Sequence, residues 1–176
     1  QAERRRVTAL FLICLAYVAH YLVYCIPQPF FIEDAGISFA YARHLADGEG
    51  LVSYPGGERV EGYSNALWTF IIALMYKLHI SPWVSSKLLG AVFGLVTLPM
   101  VYGLARRVRA DDGVALLAPL MLALSPQFVI WNASGLENSL YVMLLSSGMW
   151  RIMREVEDPR LRPLSAFLFC LLAMTR

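Results

Sequence analysis

Apolar residues fall in long blocks rather than in short alternating runs. Residues 7–26 carry no charged side chain, and about twenty apolar residues suffice for a helix to cross a hydrocarbon core of about 30 Å. Further apolar segments occupy 65–80, 84–104, 114–131, 139–153 and 164–176, the last running to the final residue. The pattern predicts an all-α polytopic membrane protein. The 7–26 block follows Arg4, Arg5 and Arg6. It is longer than the apolar region of a signal peptide and no Ala-x-Ala site follows it. It therefore reads as a first transmembrane helix with its N-terminus in the cytoplasm. Pro119 and Pro126 both fall within 114–131 and predict a kinked span.

Segment 65–80 decides the topology. If it spans, Arg106, Arg107, Arg109, Arg151, Arg154, Arg160 and Arg162 lie outside, opposite the N-terminal arginines. If it is interfacial or re-entrant, all of them share the cytoplasmic side, as the positive-inside rule favours. The segment is short for a span and carries Lys77 and His79, which suits an interfacial helix. The stretches 27–64 and 132–138 then face the outside. Loop 27–64 is acidic, with Glu33, Asp34, Asp47, Glu49, Glu58 and Glu61 against Arg43 and Arg59. Within it, 34–46 predicts a short surface helix, with Ile37, Tyr41 and Leu45 as its apolar stripe, Asp34 as N-cap and Gly48 as stop. Residues 48–57 predict turns or a hairpin. Trp68 suits the headgroup layer.

Composition agrees with a membrane setting. Of 176 residues, 58% are hydrophobic and 16% charged, and the mean hydropathy is +0.55; soluble domains average about 45–50% and about 25%. These values exclude a disordered chain, a disulfide-knit secreted domain and a nucleic-acid-binding protein. The net charge of +2 says little, because placement matters more than sum. Cys14, Cys25 and Cys170 lie in or beside apolar runs without a Cys-x-x-Cys spacing and read as small apolar side chains. The sequence starts at Gln1 and stops after an apolar run, the pattern of a piece of a longer protein or of a small subunit of a membrane assembly.

The candidate chemistry is carboxylate chemistry. The adjacent acids Glu33 and Asp34 can take a proton from an acceptor hydroxyl, or hold a divalent cation through oxygen ligands; a helix cap with a dipole-compensating acid explains them equally well. Glu61 and Glu137 are acids on the same predicted face. Arg43 can meet a phosphate or a lipid headgroup. Arg176 ends a helix rising from the cytoplasmic side, and an arginine within the membrane is a functional candidate.

In order and spacing these segments resemble the N-terminal part of polytopic GT-C glycosyltransferases that use polyprenyl-phosphate sugars, arabinofuranosyl- and mannosyltransferase-like members above all. The residues that carry the likeness are Glu33-Asp34-Ala35, Ile37-Ser38-Phe39, Tyr41-Ala42-Arg43, Leu45-Ala46, Gly48 and Gly50-Leu51-Val52. They continue through Glu61-Gly62-Tyr63-Ser64-Asn65, Leu67-Trp68-Thr69, Ser134-Gly135-Leu136-Glu137 and Thr175-Arg176. The chain departs from the family where its acid pair reads Glu-Asp instead of Asp-Asp or Asp-Glu, and where Ala40 stands in place of a frequent Arg.

The resemblance implies a GT-C-like N-terminal transmembrane module with juxtamembrane helices in its first outer loop. It also implies transfer of a sugar from a polyprenyl-phosphate donor to an extracytoplasmic acceptor. Glu33 or Asp34 would be the catalytic base. Glu61, Tyr63, Asn65, Glu137, Arg43 and Arg176 would line the substrate site, and Glu33, Asp34 and Glu137 would be the candidates to hold Mg or Mn. The implied partners are the bilayer, the lipid-linked sugar and other membrane subunits, not nucleic acid. The implied location is a bacterial inner membrane. The alternative function is a non-catalytic GT-C-derived subunit packed in a larger membrane complex.

Overall fold

The computed structural model describes residues 1–25, 30–108 and 111–176. The last residue of the 7–26 block, the start of the acidic loop and Arg109 lie outside the described residues. Among the described residues eight helices follow one another: α1 (Ala2–Cys25), α2 (Glu33–Ala46), α3 (Ala66–Lys77), α4 (Pro82–Arg107), α5 (Asp112–Leu124), α6 (Pro126–Asn132), α7 (Asn138–Glu157) and α8 (Leu164–Ala173). Among the described residues there is no strand, so 48–57 is turns and not a hairpin.

Local chemistry sets several boundaries. Ser81 accepts from the Val84 amide with Pro82 as the first helical residue of α4, and the Asp111 carboxylate accepts from the Gly113 and Val114 amides at α5. Both arrangements satisfy amides that a helix start leaves unpaired. At α2, Ile32 occupies the cap without a side-chain bond, and Asp34 sits in the first turn instead of capping it. Gly48 does stop this helix: at φ +89 its amide donates to Leu45 O and that of Glu49 to His44 O, a Schellman motif in which the left-handed residue is a glycine.

α1 and α4 are long and apolar enough to cross a membrane. The single kinked span expected over 114–131 is two helices, α5 and α6, bent by 60°. The break falls at Ser125, whose hydroxyl accepts from the Phe128 amide while Pro126 opens α6; Pro119 stays inside α5. Among the described residues, counting the bent pair as one span gives up to three by length and composition; the sequence pattern expects five. α7 is long, but Arg151 and Arg154 interrupt its last turns. α8 has 10 residues and α3 has 12; at about 1.5 Å per residue neither reaches across about 30 Å.

α4 lies at the centre, packed against α1, α3, α5, α6 and α7, with α8 on α7 and α2 on α3. Its approach to α1 and α6 depends on Gly90 and Gly94. A Cβ at Gly90 would overlap the Asn132 carbonyl oxygen, and one at Gly94 would overlap the Tyr17 hydroxyl and the Asn132 amide. This is the small-xxx-small spacing that lets membrane helices meet closely. Polar groups in the seam are paired: Asn132 Nδ2 donates to Tyr17 Oη at 3.1 Å, and Tyr21 Oη donates to Lys87 O at 2.8 Å.

One end of the bundle gathers the basic residues. Arg6 pairs with Asp112 at 2.6 Å, Arg106 also pairs with Asp112, Arg107 with Glu157, and Arg151 with Glu155 at 2.7 Å. The start of α1, the α4–α5 junction and the end of α7 therefore meet, while the end of α1 and the start of α4 lie at the other end. α3 does not carry the chain back between them.

Burial would push the Glu155 carboxyl up. Hydrogen bonds from the Ser165 hydroxyl and amide, together with Arg151, outweigh it and hold the carboxyl below its ordinary value. A depressed carboxyl contributes stability above its unfolded pKa and loses it as pH falls through the lower, folded one. Acidification below the usual carboxylate range is therefore expected to loosen α8 from α7. Thermal melts across pH check this, and Glu155→Gln should flatten that acid limb.

Candidate active site

At the end of the bundle opposite the Arg6–Arg106–Arg107–Arg151 cluster, α2 and α3 pack across the α6–α7 turn. α2 buries Ala35, Ser38, Phe39, Tyr41 and Ala42; of the expected stripe, Tyr41 is buried and Leu45 packs on the core, but Ile37 is 47% exposed. Trp68 is fully buried rather than in a headgroup layer. Its Nε1 donates to Gly135 O at 3.0 Å, an anchor that draws this aromatic into the core. Gly135 is required there: its φ is +89, and a Cβ would lie 2.8 Å from Phe31 and 2.9 Å from Ala35. Trp68→Phe leaves the Gly135 carbonyl without this donor. It is expected to cost about 1–3 kcal/mol of stability, measured by denaturation in detergent.

The anchored turn presents Glu137, only 7% exposed. Asn65 Nδ2 donates to its Oε2 at 2.7 Å. The Asn65 carbonyl oxygen in turn accepts from Ser38 Oγ at 3.0 Å and Thr69 Oγ1 at 3.2 Å. This chain of bonds fixes the amide's orientation and ties α2, α3 and α7 together. Arg176 Nε lies 3.8 Å from Glu137 Oε1, with its guanidinium over the Tyr141 ring at 5.6 Å. The Leu67 amide donates to Met174 O at 2.9 Å, holding the chain before Arg176 against α3.

Around this network is an open pocket of about 470 Å³. Asp34, Ile37 and Ser38 line it from α2, Tyr63 and Asn65 from the approach to α3, and Glu137 and Arg176 from the far side. A model of the dolichyl-phosphate-mannose-protein mannosyltransferase family matches residues 66–175, more than half of the chain. The chain belongs to this family. No curated protein and no solved structure matches it. Membership makes it an integral membrane chain of the GT-C class, whose lipid-phosphate-sugar chemistry the sequence resemblance also implies.

The family match covers Trp68, Thr69, Gly135 and Glu137, while Asp34, Tyr63 and Asn65 precede it. Of the residues singled out in the sequence, Asp34, Tyr63, Asn65, Glu137 and Arg176 line one pocket. Glu33, Glu61 and Arg43 do not; all three are exposed. For Glu33 the reason is helical geometry, since neighbours on a helix point about 100° apart and Asp34 is the one of the pair that faces the site. Among the described residues no three His, Cys, Asp or Glu side chains gather into a metal-ligand group. Glu33, Asp34 and Glu137 therefore do not form a three-carboxylate set.

Tyr63 is held by its ring against Tyr41 at 4.9 Å, and Tyr41 Oη donates to Val60 O at 2.9 Å. Ser38 and Thr69 were legible only as parts of the family pattern. Their tie to Asn65 has no signal in spacing, because 27 residues separate Ser38 from Asn65. Asn132, the acceptor of a formal glycosylation sequon, is 3% exposed and bonded to Tyr17.

Proposed function

We propose that this chain supplies the acceptor-activating side of a membrane glycosyltransferase that moves a sugar from a polyprenyl-phosphate donor to an extracytoplasmic hydroxyl. The observation that carries the proposal is the convergence of Asp34, Glu137 and Arg176, from three separate segments, on one pocket. Asp34 is exposed on the pocket wall, with no described residue bonded to its carboxylate. It accepts the proton of the acceptor hydroxyl as that oxygen bonds to the anomeric carbon. The bond from the anomeric carbon to the phosphate oxygen breaks, and the lipid phosphate leaves with the electron pair. Arg176, with a side chain 68% exposed, offsets the charge that develops on it. Glu137, satisfied by Asn65, positions Arg176.

A divalent cation at this pocket would find two carboxylates, Asp34 and Glu137, and would need further oxygen ligands from water or phosphate. The basic end of the bundle is cytoplasmic in this reading, by the positive-inside rule, and the pocket faces out of a bacterial inner membrane.

The test is sugar transfer from a lipid-phosphate donor in membranes carrying the protein. Loss on changing Asp34 but not Glu33 supports the assignment, and equal activity of the Asp34 variant overturns it. Arg176→Ala is expected to lower kcat/KM for the lipid donor about tenfold by removing a charge-assisted contact that strengthens as charge develops on the phosphate. Arg176→Lys should recover part of that loss.

A further inference from the structure

A second pocket lies at the same end of the bundle, between the end of α1, the start of α4 and α6. It encloses about 270 Å³ and is lined by Tyr24, Cys25, Phe30, Lys87, Ile130 and Ala133. It shares no lining residue with the Asp34 pocket. Its walls are apolar except for one cation. Lys87 sits in the second turn of α4, one of the two membrane-crossing candidates among the described residues, near enough to the helix start for its long side chain to reach the interface. Its Nζ donates to Phe30 O at 2.7 Å and stands 4.3 Å above the Phe31 ring. An ammonium has three protons to donate, so this bond leaves others for a ligand. Among the described residues no carboxylate pairs with it, and residues 26–29 contain no acid.

The depth of the pocket is marked independently. Tyr24, Trp83 and Trp131 are each about half exposed and stand at the end of α1, the start of α4 and the end of α6. Half-exposed aromatics at three adjacent helix ends are of the kind that settle at the level of lipid headgroups. Val23, Val84 and Leu88, all exposed, extend the apolar surface from there. We propose that this pocket binds an anionic phospholipid of the surrounding bilayer. Its phosphodiester oxygens would meet the Lys87 ammonium, and its acyl chains would lie along the apolar wall. A zwitterionic lipid brings its own ammonium to the same place and loses part of that attraction.

The experiment is native mass spectrometry of the intact protein extracted into detergent and exchanged with phosphatidylglycerol or phosphatidylcholine. Wild type should retain phosphatidylglycerol over phosphatidylcholine by roughly fivefold, the contribution of one basic residue near an anionic surface. Lys87→Arg should keep that preference and Lys87→Gln should abolish it. Ile130→Trp fills the apolar half, leaves the charge in place and should also release the lipid, which decides the matter if Lys87→Gln does not fold. Equal retention of both lipids, undiminished preference in Lys87→Gln, or retention of polyprenyl phosphate alone would overturn the proposal.

Discussion

Asp34→Asn is expected to lower sugar transfer by about 10²–10⁴-fold, the range a positioned general base contributes. The substitution keeps the size of the side chain and its place on the pocket wall and removes only the basic lone pair. Proton transfer from the acceptor develops in the transition state, so the loss should appear in kcat while KM for the donor stays near wild type. Asp34→Glu tests geometry rather than basicity. One added methylene moves the carboxylate by more than about 1 Å, enough to cost on the order of 10²-fold. Glu33→Gln is the internal control: it alters an adjacent, exposed carboxylate that lies outside the pocket and should leave transfer near wild type. Steady-state assays in membranes, with protein amounts matched by immunoblot, separate these outcomes. A drop shared equally by the Glu33 and Asp34 variants would point to the charge of the loop rather than to a base at Asp34.

Much of this arrangement was legible in the sequence, for reasons that differ by element. The long apolar blocks gave α1 and α4 because length and uninterrupted hydropathy suffice for a lone helix. They left open where the 114–131 block bends, because a proline pair states that a bend is permitted, not where it falls. The bend sits where Ser125 can cap a new helix ahead of Pro126, a local hydrogen bond that no apolar pattern encodes. Trp68 was placed in the headgroup layer by its position near a helix start. Its indole instead finds the Gly135 carbonyl 67 residues away, a partner that only the folded chain supplies. The acid pair was visible as chemistry, yet choosing Asp34 over Glu33 needed the orientation of α2, and that depends on which helix face meets α3. Of the Ile37–Tyr41–Leu45 stripe, Tyr41 is buried and Leu45 packs on the core while Ile37 is exposed, because apolar spacing ignored the small residues Ala35 and Ala42, which are fully buried and turn the face toward them.

The Gly90–Gly94 seam, which that pattern also passed over, carries the second large effect. Gly90→Ala should destabilise the bundle by about 1–3 kcal/mol, the usual range for overpacking, with more if the polar pairs beside it open. The neighbour in the way is the Asn132 backbone carbonyl, and backbone at a helix end cannot rotate aside as a side-chain tip can. Pushing α4 away from α6 and from the neighbouring α1 would lengthen the bond between Tyr21 of α1 and the Lys87 carbonyl of α4, leaving buried polar groups unmet in a setting without water to satisfy them. Gly36→Ala provides the opposite sign. Nothing lies within 4 Å of a Cβ there, and in a helix interior alanine is favoured over glycine by about 0.8–1 kcal/mol. Denaturant titration in detergent should therefore move the two variants apart, Gly90→Ala down and Gly36→Ala up. Because Asn132 ends α6 just before the turn that carries Gly135 and Glu137, Gly90→Ala should also lower sugar transfer in proportion to the folded fraction lost. A variant that kept wild-type stability would show that α4 and α6 do not meet at this glycine.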